Sequence, residues 1–204
     1  LVSAIHGSTE GEGPFADERA KVAAALLLTL RGTPFLYMGE EIAIRSPRIE
    51  RNDLADPYDK QLWPFHKRRD SSRTPMQWDD SPNAGFTSGR PWLPVGSNNK
   101  ISVAAQQDDP NSVLNFYRAL LKLRRESPGL RRGNFHPLIE KPVTTMLYLR
   151  ETAEQTMLVA LNFFGHDTLA PLPAGQWQRR LSTHPGGLIS AGTLTLAPFE
   201  ATIL

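Results

Sequence analysis

The sequence has no cysteine among its 204 residues. Disulfide bridges and thiolate metal sites are therefore excluded, and a cytoplasmic location, which we expect, fits this composition. The sequence also has no long apolar run. The longest, residues 22–30, is interrupted by Thr29 and is far too short to span a bilayer, so we expect no membrane partner. An initiator methionine is missing too, and we expect the chain to be part of a longer protein.

Charge of one sign is not concentrated anywhere in the chain. The 23 lysines and arginines nearly balance the 21 aspartates and glutamates, and the basic residues occur as scattered pairs. A nucleic-acid groove needs basic side chains on one face, so we expect no nucleic-acid partner. The five histidines show no ligand spacing, and neither a metal site nor a cofactor is predicted.

The first recognisable pattern is a helix followed by an apolar segment. Residues 17–31 carry apolar side chains at helical spacing, with Asp17 as N-cap and Gly32 as a natural C-terminal stop. Residues 34–38 form a short apolar run between turn residues, which predicts a buried strand. Helix, glycine and buried strand make one α-to-β step of a parallel α/β fold.

A long loop and a second helix follow. Residues 43–110 contain no long periodic segment but many prolines, glycines and aromatic residues. A loop of this length inside a compact domain is usually functional or disordered, and the aromatic residues favour an ordered, packed loop. Residues 113–126 then have the spacing of an amphipathic helix, which Pro128 and Gly129 end.

The pattern changes after Gly133 to strand-length runs of β-branched and apolar residues separated by turns, at 144–150, 156–164, 177–183, 193–196 and 199–204. That spacing predicts a small antiparallel sandwich or barrel. The predicted fold class is therefore α/β followed by all-β. We place the domain boundary so that residues 1–132 form the first domain and residues 133–204 the second.

Residues 69–80 are the most informative part of the long loop. They combine Arg69 and Arg73 with the rigid Pro75, the flat ring of Trp78 and three carboxylates. Guanidinium groups suit planar carboxylates or the hydroxyls of a polyol, and an aromatic face suits an apolar surface. The stretch could therefore line a pocket for a polar small molecule. From these residues alone, an ordinary surface loop with salt bridges explains it equally well.

Resemblance to a known family decides between these interpretations. Residues 69–79, Arg-Asp-x-x-Arg-Thr-Pro-Met-Gln-Trp-Asp, resemble a signature of the α-glucosidase and oligo-1,6-glucosidase branch of glycoside hydrolase family 13, the α-amylase superfamily. Gly-Thr-Pro-Phe-Leu-Tyr-Met-Gly-Glu-Glu-Ile at 32–42, Asn-Ala-Gly-Phe at 83–86 and Pro-Trp-Leu-Pro-Val at 91–95 extend it. The resemblance implies the last helix, strand, long loop and helix of a (β/α)8 barrel, followed by an antiparallel β-sandwich called domain C.

The resemblance also implies site residues and a substrate. In this branch, the arginine that opens the signature helps to close the pocket for the non-reducing glucose, a role that falls on Arg69, with Arg73 as the second substrate-binding candidate. The implied substrate is an α-linked gluco-oligosaccharide, cleaved with retention by two carboxyl groups. Those carboxyl groups, and the Asn-His-Asp motif that carries a third acid, belong to earlier barrel strands. No residue of this chain is therefore predicted to be catalytic, and the chain alone is expected to be inactive. We expect Glu40 and Glu41 to bond neighbouring loops or to face solvent.

Three alternatives remain open at this point. A stand-alone carbohydrate-binding module would use Trp63, Trp78 and Trp92 as stacking surfaces without chemistry. A trehalose-forming isomerase or a sucrose-cleaving transglycosidase would share the fold and the double-displacement mechanism. In every case we expect the helix at 17–31 and the strand at 34–38 to expose apolar surface and to pair with a second copy, forming a homodimer, or to pack irregularly against the β-domain.

Overall fold

The computed structural model describes residues 14–45, 47, 49–64, 69–96, 101–138, 145–185 and 189–204. The chain divides into two compact units. The loop unit comprises Leu1–Ala16 and Leu36–Asn115, and the sheet unit comprises Asp17–Phe35 and Phe116–Leu204. The boundary before residue 133, drawn from the sequence, stays a prediction.

The regular elements come in the order helices first, strands last. The α-helices are α1 (Ala16–Thr29), α2 (Pro57–Leu62), α3 (Val103–Gln107), α4 (Val113–Glu126) and α5 (Pro128–Arg132). Single 3-10 turns lie at Glu40–Ile42, Arg51–Asp53, Asp70–Ser72 and Pro82–Gly85. The strands are β1 (Asn134–Leu138), β2 (Met146–Glu151), β3 (Thr156–Leu161), β4 (Thr168–Pro171), β5 (Leu181–Ser182), β6 (Ile189–Ser190), β7 (Thr193–Leu196) and β8 (Ala201–Ile203). No helix in the described ranges is long and apolar enough to cross a membrane.

Two antiparallel sheets build the end of the sheet unit. One has the order β1-β2-β3-β8-β5 and the other the order β4-β7-β6. Strands β2 and β3 pair along their whole length, with Tyr148 opposite Val159 and Leu149 opposite Leu158. Inner side chains from both sheets form one hydrophobic cluster: Leu147, Leu158, Ala160, Ala170, Leu194, Leu196 and Leu204. The prediction of antiparallel β-structure after residue 133 is confirmed.

Helix α1 packs within the sheet unit, and its C-terminal end is held by two arginines. Arg150, which is fully buried, donates to the carbonyl oxygens of Thr29 and Gly133, and Arg124 donates to those of Leu30 and Gly32. The Thr29 and Leu30 carbonyls lie at the negative end of the α1 dipole, where cations are favourable, and Gly133 is the C-cap of α5.

The expectation that α1 exposes an apolar face is wrong. Its buried side chains are Ala20, Val22, Ala24, Ala25, Leu26, Leu28 and Thr29. A helix that is apolar on most sides is stable only when most of its surface is covered, and every residue of α1 after Asp17 is buried or partly buried. The alternative, packing against the β-domain, is observed at its C-terminal end, where Thr29 contacts Tyr148 and Arg150 of β2.

The buried strand predicted at 34–38 is also wrong. Residues 34–37 have no regular secondary structure and Met38 lies in a turn; they pair with no strand among the described residues, and Phe35 is 85% exposed. Leu36, Tyr37 and Met38 are exposed too. A strand is held by the hydrogen bonds of its neighbours, and the described part of the chain supplies no neighbour for this one.

The loop unit is ordered by two small hydrophobic clusters. Ile42, Ile44, Met76, Ile101 and Leu114 form the first, and Ile49, Leu54 and Leu93 form the second. Gln106 links two members of the first cluster through their backbone, since its side chain donates to Ile42 O (2.9 Å) and accepts from Leu114 N (3.0 Å). The expectation of an ordered, packed loop is confirmed for its described residues.

Candidate functional site

The stretch 69–80 lies on the loop unit with one side buried and the other open. Thr74, Met76 and Gln77 are buried, and Trp78 O and Gln77 O accept hydrogen bonds from the start of α3 at 2.9 and 3.1 Å. Arg69 and Arg73 remain 61% and 51% exposed at their side chains. The stretch is therefore fixed from behind, while both guanidinium groups stay available to a ligand.

Asp70 is the buried anchor of this arrangement. One carboxylate oxygen accepts from the backbone N–H groups of Ala55 (2.7 Å) and Asp56 (2.8 Å), and its own N–H donates to Asp59 Oδ2 (2.8 Å). A carboxylate buried at 1% exposure is tolerated because it accepts charge-assisted hydrogen bonds. Asp70 thereby ties the arginine-bearing stretch to the start of α2.

Asp56 brings the two arginines together. Its Oδ2 accepts from Arg73 Nη1 at 3.0 Å and lies 3.9 Å from Arg69 Nη1, while its Oδ1 caps α2 by accepting from Tyr58 N at 2.8 Å. Desolvation alone would raise the pKa of Asp56. The hydrogen bonds from Tyr58, Arg73 and Asp59 and the charge of Arg69 outweigh it and lower that pKa. The carboxylate therefore stays ionised and orients both guanidinium groups.

Tyr58 supports Arg69 from its other side. The Arg69 guanidinium carbon lies 5.2 Å from the centre of the Tyr58 ring, within the range of a cation–π contact. A planar guanidinium that stacks on a ring and faces a carboxylate loses little freedom when it donates to a further partner. Arg69 is thus pre-oriented rather than a freely moving surface side chain.

Among Asp56, Asp59 and Asp70, Asp59 is the carboxylate with a buried oxygen atom that accepts no hydrogen bond from the described residues. It is fully buried, and no described residue hydrogen-bonds its Oδ1. Together with Asp56 and Asp70 it gives three carboxylates against two guanidinium groups among the described side chains. This charge balance suits a neutral, hydroxyl-rich ligand better than an anion. The arginines supply many hydrogen-bond donors, but the three carboxylates leave no excess positive charge.

The acids at 40 and 41 have local roles. Glu40 Oε2 accepts from Tyr37 N at 3.1 Å and Glu41 Oε2 from Gly39 N at 2.8 Å. Burial raises the pKa of Glu40, and the hydrogen bond from Tyr37 only partly offsets this. The expectation that these acids bond neighbouring loop backbone is confirmed.

The three tryptophans of the loop unit differ in exposure. Trp63 packs against Ile49, Leu54 and Leu93 and is part of the interior. Trp78 and Trp92 are 50% and 61% exposed. Trp78 and Trp92 therefore offer more ring surface to a ligand than the partly buried Trp63, and the stacking role of all three stays a prediction.

Sequence reasoning singled out Arg69 and Arg73 but missed the residues that hold them: Asp56, Tyr58, Asp59 and Asp70. One signal was available in the sequence. Asp-Pro at 56–57 is the pattern of an N-cap followed by proline at the first helical position, and in the structure Asp56 caps α2, which begins at Pro57. The convergence of Asp56 and Asp70 on one corner depends on loop folding and had no sequence signal. Among the described residues, no group of three or more histidines and acids is arranged to hold a metal ion.

Comparison with known proteins gives one family match. Residues 5–133 match the family model described as Alpha amylase, catalytic domain. A probable alpha-glucosidase of Rhizobium meliloti is 38% identical over 158 residues, covering 77% of this chain and 28% of that protein. The trehalose-6-phosphate hydrolase of Escherichia coli is 34% identical over 212 residues, covering 93% of this chain and 38% of that protein.

A solved structure gives the same result for the fold. The trehalulose synthase MutB from Pseudomonas mesoacidophila superposes with a TM-score of 0.84 at 30% identity, covering 98% of this chain and 41% of that protein. The chain thus spans well under half the length of each of these relatives.

Proposed function

This chain belongs to the alpha-amylase family, and on that premise we propose that it is the C-terminal part of a retaining hydrolase of α-linked gluco-oligosaccharides. The single observation that carries the proposal is the convergence of Arg69 and Arg73 on Asp56, on the open side of an otherwise buried loop. That geometry offers several oriented N–H donors to a neutral polyol.

The fold proposal assigns each region to a part of such an enzyme. Residues 1–132 supply the end of a (β/α)8 barrel: α1, the segment 34–38, the long loop and α4. Residues 133–204 supply domain C, with its two antiparallel sheets. The exposure of Phe35 supports this assignment, because a barrel strand whose neighbours come from the rest of the protein would be unpaired here.

In this proposal the chain binds and orients the sugar while other residues break the bond. Retaining cleavage needs a nucleophile and an acid/base about 5–5.5 Å apart, which we assign to earlier barrel strands outside this chain. Arg69 helps to close the pocket around the non-reducing glucose by pairing with an aspartate from the first half of the barrel. Arg73 donates to a glucose hydroxyl or to that same aspartate, and Asp70 keeps both arginines in place. The active site of such a barrel lies at the C-terminal ends of its strands, where the loop after segment 34–38 would be.

The test is to incubate the complete gene product with isomaltose and maltose and to follow the released glucose by proton NMR. We expect both disaccharides to be cleaved and the released glucose to start richer in the α-anomer than the equilibrium mixture. Double displacement retains the configuration of the glucose from the non-reducing end, whereas the reducing-end glucose is released as an equilibrium mixture. An initial excess of the β-anomer over the equilibrium mixture, or no cleavage of either disaccharide, would overturn the proposal. The first spectra must be recorded at once, because mutarotation equilibrates the two anomers of the released glucose. Free α-glucose in the same buffer is the control that gives the rate of mutarotation.

A second candidate is sucrose isomerisation or glucosyl transfer. The similarity to a trehalulose synthase over nearly the whole chain favours it. The same NMR experiment with sucrose separates the candidates. Hydrolysis releases glucose and fructose in equal amounts, whereas an isomerase accumulates a new disaccharide with little free fructose. A stand-alone carbohydrate-binding module would change none of these substrates.

A further inference from the structure

A groove of about 550 Å³ lies on the loop unit, between the turn at 52–55 and the segment 90–94. We call it the Trp92 groove. Its volume falls within the range of about 300–1,000 Å³ that small-molecule sites occupy. Its walls are fixed from below, because Leu54 and Leu93 belong to the same hydrophobic cluster and Ala55 N is held by Asp70 at 2.7 Å. The groove is therefore preformed.

Trp92 presents a rigid aromatic face in this groove. Its indole Nε1 donates to the Arg73 carbonyl oxygen at 3.0 Å, so its polar group is already satisfied. Phe86 meets it edge to face, with ring centres 5.1 Å apart and an interplanar angle of 88°. The side chain nevertheless remains 61% exposed. An indole that is held at its edge and open on its surface can stack on the C–H face of a sugar without a further loss of side-chain entropy.

Polar side chains surround this aromatic face. Asn52, Asp53 and Arg90 line the groove and are exposed, so they offer amide, carboxylate and guanidinium groups at its rim. No described residue forms a hydrogen bond or ion pair with the Arg90 side chain. One apolar face with donors and acceptors around its edge matches a pyranose ring, which has C–H groups on its faces and hydroxyls on its perimeter.

We propose that the Trp92 groove binds one glucosyl ring of an α-linked glucan chain, stacked on Trp92 and hydrogen-bonded by Asn52, Asp53 and Arg90. The proposal rests on the proposed function for its ligand class, α-linked glucosides. The hydrogen bond from Trp92 to Arg73 O joins the groove to the arginine pair through one residue. We therefore expect the groove to raise the affinity for glucan chains longer than a disaccharide.

The test uses fluorine NMR of the complete gene product labelled with 5-fluorotryptophan. The probes are β-cyclodextrin and α-cyclodextrin, each titrated to its solubility limit. Neither has a non-reducing end, so a pocket for a terminal glucose cannot hold them. The variant Trp92→Phe assigns the Trp92 signal. Trp78, which is half exposed on the same unit but does not line the groove, is the internal control.

We expect the Trp92 signal to shift and saturate with at least one probe while the Trp78 signal stays in place. Arg90→Ala and Asn52→Ala, both at exposed positions that leave the fold intact, should weaken the affinity about three- to tenfold, the loss of one hydrogen bond to the ligand. A Trp92 signal that neither probe moves, or one that moves with Trp78 without saturating, would overturn the groove.

Arg69→Ala separates this proposal from the proposed function. If the variant loses activity but keeps the β-cyclodextrin response, both proposals stand. If it keeps activity and the response, the proposed role of the arginine pair fails and the groove stands. A β-cyclodextrin response that disappears in Arg69→Ala would show that the sugar lies on the arginine pair, and the groove would be refuted.

Discussion

Tyr148 shows how strongly a single buried side chain depends on its surroundings. The side chain is fully buried on β2, and its hydroxyl bonds to the Thr29 hydroxyl at the end of α1. Burial raises the pKa of Tyr148 from 10.0 to about 12, because a phenolate inside the sheet unit would lose its hydration, and the bond to Thr29 offsets this only in part.

This shift predicts a loss of stability at high pH. The Tyr148 phenol ionises near pH 10 in the unfolded chain and near pH 12 in the folded one. Its contribution to the unfolding free energy is therefore complete below pH 10 and is lost as the pH rises towards 12. The loss should reach about 2–3 kcal/mol of unfolding free energy. Tyr148→Phe should flatten the curve of unfolding free energy between pH 9 and 11.5, measured by urea denaturation. Tyr58→Phe, at an exposed tyrosine, should leave it unchanged, and equal slopes in both variants would refute the assignment.

At the arginine pair, single residues were predictable but their support was not. Arg69 and Arg73 stand out because guanidinium groups four apart beside a proline and a tryptophan are unusual in a plain loop. Asp70 reads in sequence as an ordinary neighbour of Arg69. Only the folded loop shows that its carboxylate accepts hydrogen bonds from the backbone of Ala55 and Asp56 and lies 3.8 Å from Arg73 Nη1. Contacts between residues 14–15 positions apart across irregular backbone carry no periodic signal.

Among the elements, the turn Pro82–Gly85 is the most strained. Asn83, Ala84 and Gly85 all have positive φ angles, of 57°, 52° and 67°. A Cβ placed on Gly85 would lie 2.6 Å from an Asp79 carboxylate oxygen, in addition to the cost of a left-handed backbone. The turn therefore requires glycine at this position.

Gly85→Ala should lower the unfolding free energy by about 1–2 kcal/mol or more, since both the backbone conformation and the close approach disfavour a side chain. The matched control is Gly89→Ala, where the nearest atom to the new Cβ is Thr87 Oγ1 at 3.8 Å. Thermal and urea unfolding of the two variants measure the difference. Equal stabilities would mean that the turn relaxes freely.

Elements with strong local signals were predicted well, and those that depend on partners were not. The second helix was predicted at residues 113–126 and is observed as Val113–Glu126, because its apolar spacing and its proline-glycine stop are both local. Strand β7 was likewise predicted at its observed bounds. Segment 34–38 has an equally clear apolar run, yet it is unpaired, since a strand exists only with its neighbours. Strands β1, β4 and β6 were missed. Pro137 and Pro171 weaken the strand signal of β1 and β4, and β6 has only two residues.

For the whole molecule, the uncovered apolar segment has a direct consequence. Phe35 is almost fully exposed, followed by the exposed Leu36, Tyr37 and Met38, and consecutive exposed apolar residues favour association. If the 204-residue chain is produced by itself, we expect it to form dimers through this segment. Phe35→Ser should shift the mass measured by analytical ultracentrifugation towards the monomer. Leu169→Ser, at an exposed leucine of β4, is the control that should not. A chain that remains monomeric at high concentration would contradict this expectation.

The assignment of the chain to the binding side of an α-glucoside hydrolase depends most directly on Arg69. The decisive measurement is kcat/KM for isomaltose in the complete gene product carrying Arg69→Ala. Arg51→Ala serves as control, since it removes an exposed arginine of the same unit whose side chain, among the described residues, hydrogen-bonds Lys60 O alone. Loss of a charged hydrogen bond to the substrate costs about 1.5–3 kcal/mol, so kcat/KM should fall at least about tenfold in Arg69→Ala and stay unchanged in the control. A value for Arg69→Ala within about twofold of the unmodified enzyme, well below that cost, would contradict the account.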